Sequence, residues 1–126
     1  AEHLHADGDI GVVFFAGPQD AAVLAQITPR MPPGSVVAPQ LAVRAFAAML
    51  ARCSVVVTGD TGPMHLAAAV GTPTVTLLVD QRSTYYRPVG ERHRTVIRGT
   101  HSTVPDVVRA VRELIMAEPP RDTSVA

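Results

Sequence analysis

Apolar positions alternate along the chain between short β-rich runs and longer stretches with helical spacing, the pattern of a parallel sheet covered by helices. "IGVVFFAG" (10–17) reads as a buried strand, and "PQDAAVLAQI" (18–27) as a helix with Pro18 near its first turn and Asp20 well placed against the dipole. Prolines in "TPRMPPG" end that helix. "SVVAP" (35–39) is a short strand. "QLAVRAFAAMLARC" (40–53) is the clearest helix, and it offers two inward faces: Leu41, Ala45, Ala48 and Ala51, or Val43, Phe46, Met49 and Leu50. "SVVVTG" (54–59) is a third strand, "MHLAAAV" (64–70) a helix stopped by Gly71, and "TPTVTLLV" (72–79) a fourth strand. The loop "DQRSTYYRPVGE" (80–91) leads to a fifth strand, "HRTVIRG" (93–99). "STVPDVVRAVRELIMA" (102–117) then forms an amphipathic helix with Ser102 or Thr103 as N-cap.

Five strands and four helices in βα order predict an α/β fold: a Rossmann-like parallel sheet with helices on both faces. The expected organisation is a linker-like or disordered start over 1–9, one domain over 10–117 and a flexible tail over 118–126. With 126 residues, 47% of them hydrophobic, the chain has material for one ordinary core.

Charge removes several function classes. Eleven basic residues balance eleven acidic ones, so no net field draws in nucleic acid, and "RHRTVIR" (92–98) lacks the interleaved aromatics of a nucleic-acid surface. Every basic residue is Arg, which excludes a Schiff-base or phosphate-loop lysine from this chain. Cys53 stands alone, so an internal disulfide and a multi-cysteine zinc site are both excluded, and an inert thiol is expected. The apolar runs fall far short of the roughly 20 residues that span a bilayer, and no signal-peptide pattern opens the chain; a cytoplasmic protein is expected.

The chemistry concentrates in "VVVTGDTGPMHLAAAVGTP" (55–73), which runs from strand through turn to helix. In an open α/β sheet, ligands settle beyond the carboxyl ends of the strands, where Gly59–Pro63 must lie. A helix beginning at Pro63 leaves first-turn amides unpaired behind a positive dipole end, which suits an anion. Gly62 lets a ligand approach the backbone, the Thr61 hydroxyl either caps the helix or bonds a phosphate oxygen, and His65 adds a donor. Asp60 would repel a phosphate, so it bonds sugar hydroxyls or loop amides, with a metal as the last option. Asp-Thr-Gly-Pro is also an ordinary capping sequence, and on the residues alone both readings stand. Tyr85 and Tyr86 either stack on a base or sugar or pack at a domain edge; Arg82 and Arg87 beside them either reach phosphate or stay solvated.

"TGDTGPMHLAAAVGTPTVTLL" resembles the signature of glycosyltransferase family 9, which includes the ADP-heptose:lipopolysaccharide heptosyltransferases. The resemblance extends upstream through "PQLAVRAFAAMLARCSVVV" and, more loosely, "VVFFAGPQD", covering most of residues 10–98. It implies the C-terminal, donor-binding half of a two-domain GT-B enzyme. By that resemblance Thr61 and Gly62 hold the donor diphosphate, His65 stands beside it, Asp60 bonds the transferred sugar, Leu41 flanks the base and Asp20 reaches the ribose. It further implies an inverting transfer with no metal and no cofactor beyond the nucleotide-sugar donor. The catalytic base comes from an acceptor-binding N-terminal domain or partner chain, the acceptor can bring the parent protein to a membrane surface, and this chain alone is inactive. Three departures stand out: no opening strand and helix with a basic residue before Ile10, no acceptor domain, and "VDQRSTYYRPVG" where the family tends to carry a Phe-Gly-Pro-Thr-like loop.

Other functions fit the residues less fully. A non-catalytic sugar-nucleotide module and a nucleotide-sugar 2-epimerase-like enzyme are the alternatives, the second disfavoured by Pro63-Met64-His65. A dinucleotide-dependent dehydrogenase would need a G-x-G-x-x-G after the first strand, and none is present.

Overall fold

In the computed structural model, the described residues are 1–117 apart from 7, 9, 60, 80–87, 89 and 100–102. They divide into two compact units, Ala1–Ala45 and Phe46–Ala126, where the apolar pattern suggests one domain.

The first unit holds α1 (Glu2–His5), β1 (Val13–Phe14), α2 (Ala21–Ile27), a 3-10 turn over Thr28–Arg30 and β2 (Val36–Val37). The start, expected to be linker-like, carries a helical turn whose Leu4 is buried. β1 and β2 pair in parallel, Val13 opposite Val36 and Phe14 opposite Val37. The expected strand over 10–17 shrinks to these two positions, and Val13, Val36 and Val37 remain exposed. An apolar run sets a preference for extension, but only a partner ladder makes it a strand.

α2 also starts later than its sequence suggests. The Asp20 N–H bonds the Gly17 carbonyl at 3.0 Å, and the Asp20 Oδ2 accepts the Gly17 N–H at 2.7 Å. This turn takes Pro18 and Gln19 out of the helix and leaves Asp20 at the N-cap with its carboxylate turned backwards, making no cap bond.

α3 (Val43–Arg52) crosses the boundary between the units. Neither candidate face is inward as a whole: of the second, Leu50 is buried and Phe46 and Met49 are half-buried but Val43 is exposed, and of the first, Ala45 and Ala48 are exposed while Leu41 and Ala51 are half-buried. Cys53 is half-buried, its thiol weakly bonded to the Met49 carbonyl at 3.4 Å.

The second unit continues with β3 (Val56–Gly59), α4 (Gly62–Ala69), β4 (Thr74–Leu78), β5 (His93–Ile97) and α5 (Thr103–Ala117). Its sheet is parallel throughout, in the order β3-β4-β5. β4 lies at the centre, and Thr74, Val75, Thr76 and Leu78 are all buried. Around them the core is built from Leu50, Met64, Ala67, Val96, Val108, Val111 and Leu114. The α5 contribution repeats at helical spacing and leaves Arg109, Arg112 and Glu113 in solvent. The Thr72 hydroxyl donates to the Leu50 carbonyl at 2.8 Å, fastening the end of α3 to the strand entry. The Arg94–Glu113 pair at 3.8 Å links β5 to α5 but is half in water and adds little.

α4 ends as the sequence predicts. Gly71 adopts φ +82°, a left-handed position; its N–H bonds the Ala68 carbonyl and the Thr72 N–H bonds the Ala67 carbonyl. This is a Schellman closure, and it turns the chain directly into Pro73 and β4.

Across the amino-terminal end of the sheet, Thr74 Oγ1 and His93 Nδ1 lie 2.9 Å apart. Burial, with the Arg92 guanidinium adding to it, holds the His93 imidazole below its ordinary value of 6.5. The neutral ring is thus the form the fold prefers. The unfolded chain takes up its proton first as pH falls through 6.5, so this contribution to stability is present above that value and is lost down to the folded-state value. Thermal unfolding followed from pH 8 to pH 5 is expected to show a larger fall in Tm for the native chain than for His93→Asn; equal falls would remove His93 from the account.

Candidate functional site

Parallel register brings the carboxyl ends of three strands to one edge. Gly59 lies opposite Leu77, which in turn lies opposite Val96. The turn after β3 and the start of α4 therefore open at the edge where α/β sheets receive ligands.

The local sequence explains how α4 is held there. Met64 and Ala67, three residues apart, are both fully buried and press one helical face onto β3 and β4. The other face at the helix start is wet: Thr61, Gly62 and His65 are exposed and Pro63 is half-buried. The helix begins at Gly62 rather than Pro63, with Thr61 as N-cap in an extended conformation (φ −143°, ψ 176°).

The Thr61 hydroxyl makes no capping hydrogen bond. Its side-chain neighbour is the Thr58 hydroxyl, 3.4 Å away. Fewer amides are free than the sequence suggests. The Thr61 N–H bonds the Gly59 carbonyl at 3.0 Å, the Met64 N–H bonds the Thr61 carbonyl at 3.1 Å, and Pro63 has no N–H. The first turn closes on itself through these short-range bonds. The Gly62 N–H has no partner among the described residues, and a Cβ built on Gly62 would meet nothing within 4 Å.

Thr61, Gly62 and His65 are thus brought together on one helix end. Asp60 lies outside the described residues, as do Arg82, Tyr85, Tyr86 and Arg87. Asp20 and Leu41 belong to the first unit. Asp20 is exposed, with one carboxylate oxygen committed to Gly17. Leu41 is half-buried and precedes α3 by two residues instead of opening it. Near it, the Gln40 side-chain amide donates to the Ala16 carbonyl at 2.8 Å and ties the approach to α3 to the end of β1.

Thr58 is the residue the sequence reading passed over. Its signal was the spacing Thr58-x-x-Thr61 at the end of a strand, which returns the second hydroxyl to the first across a tight turn. A separate depression of about 350 Å³ is formed within the first unit by residues including His5, Ile10, Pro33 and Ser35. Among the described residues, no group of three or more His, Cys, Asp or Glu side chains converges, and no helix is long and apolar enough to cross a membrane.

Comparison with known proteins places the chain in a family. The model of Glycosyltransferase family 9 (heptosyltransferase) matches residues 1–115. The fold is similar to that of a glycosyl transferase family 9 protein from Veillonella parvula, with a TM-score of 0.80 and 23% identity over 94% of this chain and 40% of that one. It is also similar to E. coli ADP-heptose lps heptosyltransferase II, with a TM-score of 0.76 and 22% identity over 91% of this chain and 39% of that one. Among curated proteins none matches. The chain thus spans about 40% of the length of these solved relatives. A match over nearly the whole chain, on a parallel α/β fold, makes this chain a member of glycosyltransferase family 9.

Proposed function

We propose that the chain is the donor-binding part of an inverting glycosyltransferase of the GT-B type, taking a nucleoside-diphosphate sugar of the ADP-heptose kind. One observation carries this reading: the exposed start of α4 has a threonine hydroxyl unused for capping beside a glycine whose amide has no partner among the described residues and whose Cβ position is open. Groups of this kind, on the positive end of a helix dipole, favour a diphosphate.

In this reading Thr61 and the Gly62 N–H hold the diphosphate and His65 stands beside it. Asp60 bonds hydroxyls of the transferred sugar. The roles of Leu41 at the base and Asp20 at the ribose rest on the family resemblance alone. Transfer is a displacement at the anomeric carbon: the acceptor oxygen bonds that carbon as its bond to the diphosphate oxygen breaks, and the electron pair leaves with the diphosphate. The acceptor proton passes to a carboxylate outside this chain. The helix end lowers the barrier by stabilising the charge that builds on the leaving group, so the reaction needs no divalent metal. The heptosyltransferase relationship favours a lipopolysaccharide acceptor and, through it, a place at the inner surface of a membrane.

Calorimetric titration of the chain with ADP, UDP and GDP and with their sugars tests the site. ADP and its sugar are expected to bind most tightly, and Asp60→Ala and His65→Ala are each expected to weaken binding of the ADP-sugar by several-fold. If neither substitution changes binding, the turn serves only as a helix cap.

A further inference from the structure

Threonine at position 58 is stiff about χ1 because it is β-branched, and it stands in β3 in register with Thr76, which pairs in turn with Thr95. Its hydroxyl has one proton and two acceptors: the Gly59 carbonyl oxygen at 3.2 Å and Thr61 Oγ1 at 3.4 Å. A formed O–H···O bond is about 2.7–2.8 Å long, so the hydroxyl pair stands open, ready to close.

We infer that Thr58 is a positioning residue for the diphosphate site, its hydroxyl orienting and polarising that of Thr61; this rests on the donor-site reading above. Thr61 has a single proton. When it donates that proton to a phosphate oxygen, its lone pair is left to accept, and Thr58 is the donor within reach. Swinging the Thr58 proton from the Gly59 carbonyl to Thr61 Oγ1 makes a two-hydroxyl chain in which each bond strengthens the next. The N-cap geometry favours this arrangement, since Thr61 spends nothing on the helix amides. Such pairs often remain long without ligand and tighten in the complex.

Two substitutions separate hydroxyl from shape. Thr58→Val keeps the β-branch and drops the hydroxyl, whereas Thr58→Ser keeps the hydroxyl and drops the methyl. With ADP as the probe on the full chain, Thr58→Val is expected to weaken binding by about 3–10-fold, the range of one hydrogen bond, with Tm unchanged. Thr58→Ser is expected to bind as the native chain does while melting lower, because serine is the poorer strand residue. In a Thr61→Val background, Thr58→Val is expected to cost nothing further. Binding unaffected by Thr58→Val, equal losses in the Val and Ser variants, or an additive loss in the double variant would each overturn the inference while leaving the donor site standing. A native chain that binds none of ADP, UDP and GDP overturns both.

Discussion

Met64→Ala is expected to lower the unfolding free energy by about 2–5 kcal/mol, the range for deleting a large apolar side chain from a filled core. Met64 is fully buried, as is Ala67 one turn later, and no other large side chain of α4 is. Truncation leaves a cavity under the first turn of the helix, which the small Ala67 cannot fill. For a domain of this size the change corresponds to a fall in Tm of roughly 8–20 °C, read by calorimetry or circular dichroism. Met64→Leu, close in volume, is expected to cost less than about 1.5 kcal/mol. Because Met64 seats the helix end that carries Thr61 and Gly62, the alanine variant is also expected to bind nucleotide more weakly at temperatures where it remains folded. A Tm unchanged by Met64→Ala would mean that α4 is held by something other than this contact.

Gly62→Glu is expected to abolish nucleotide diphosphate binding without harming the fold. The glycine has no positive φ, and a Cβ there would meet nothing within 4 Å, so a side chain is accommodated. A carboxylate in the first turn of a helix is favourable by about 0.3–1 kcal/mol, so Tm is expected to hold or rise slightly. The same carboxylate would lie within a few ångströms of the diphosphate. Two like charges 4 Å apart repel by about 1 kcal/mol in bulk water and about 4 kcal/mol near a protein surface, and a diphosphate carries more than one charge. Affinity for ADP is thus expected to fall at least tenfold, and Gly62→Ala is expected to retain most of it. A Gly62→Glu variant that binds ADP as tightly as the native chain would place the diphosphate elsewhere.

These two substitutions draw on parts of the structure that were unequally readable in the sequence. The signature helix was legible because its determinants are local: Gly71 at the left-handed exit, proline at its entry, and Met64 and Ala67 at helical spacing. The inward face of α3 was narrowed to two options, and packing took Phe46, Met49 and Leu50 from one of them while leaving its Val43 exposed. Other features depend on partners that a linear pattern does not name. Thr74 and Thr76 alternate with Val75 and Leu77 as if one face of β4 were wet, yet both threonines are buried because β4 is the central strand. One of them, Thr76, leaves its hydroxyl without a partner among the described residues. The strand over 10–17 contracted to Val13–Phe14 because ladder pairing with Val36–Val37 ends there.

The site shows the same division. Thr61, Gly62 and His65 were legible together, since a strand-turn-helix fixes them within one turn of each other. Asp20 has an unforeseen partner: a side chain three residues after a glycine can fold back onto that glycine's amide as readily as it can cap a helix. Thr58 was overlooked because a threonine in a strand has an ordinary structural role, and its second role exists only through the turn that returns Thr61 to it.

The central claim, that the open start of α4 receives the diphosphate, is tested most directly by following backbone amides by 1H–15N NMR during titration with ADP. The account predicts that the largest saturable change falls on the Gly62 amide, with Thr61 next and Gly62→Glu abolishing both. Saturation with changes confined to the β1–β2 unit, and a Gly62 amide that does not move, would contradict it.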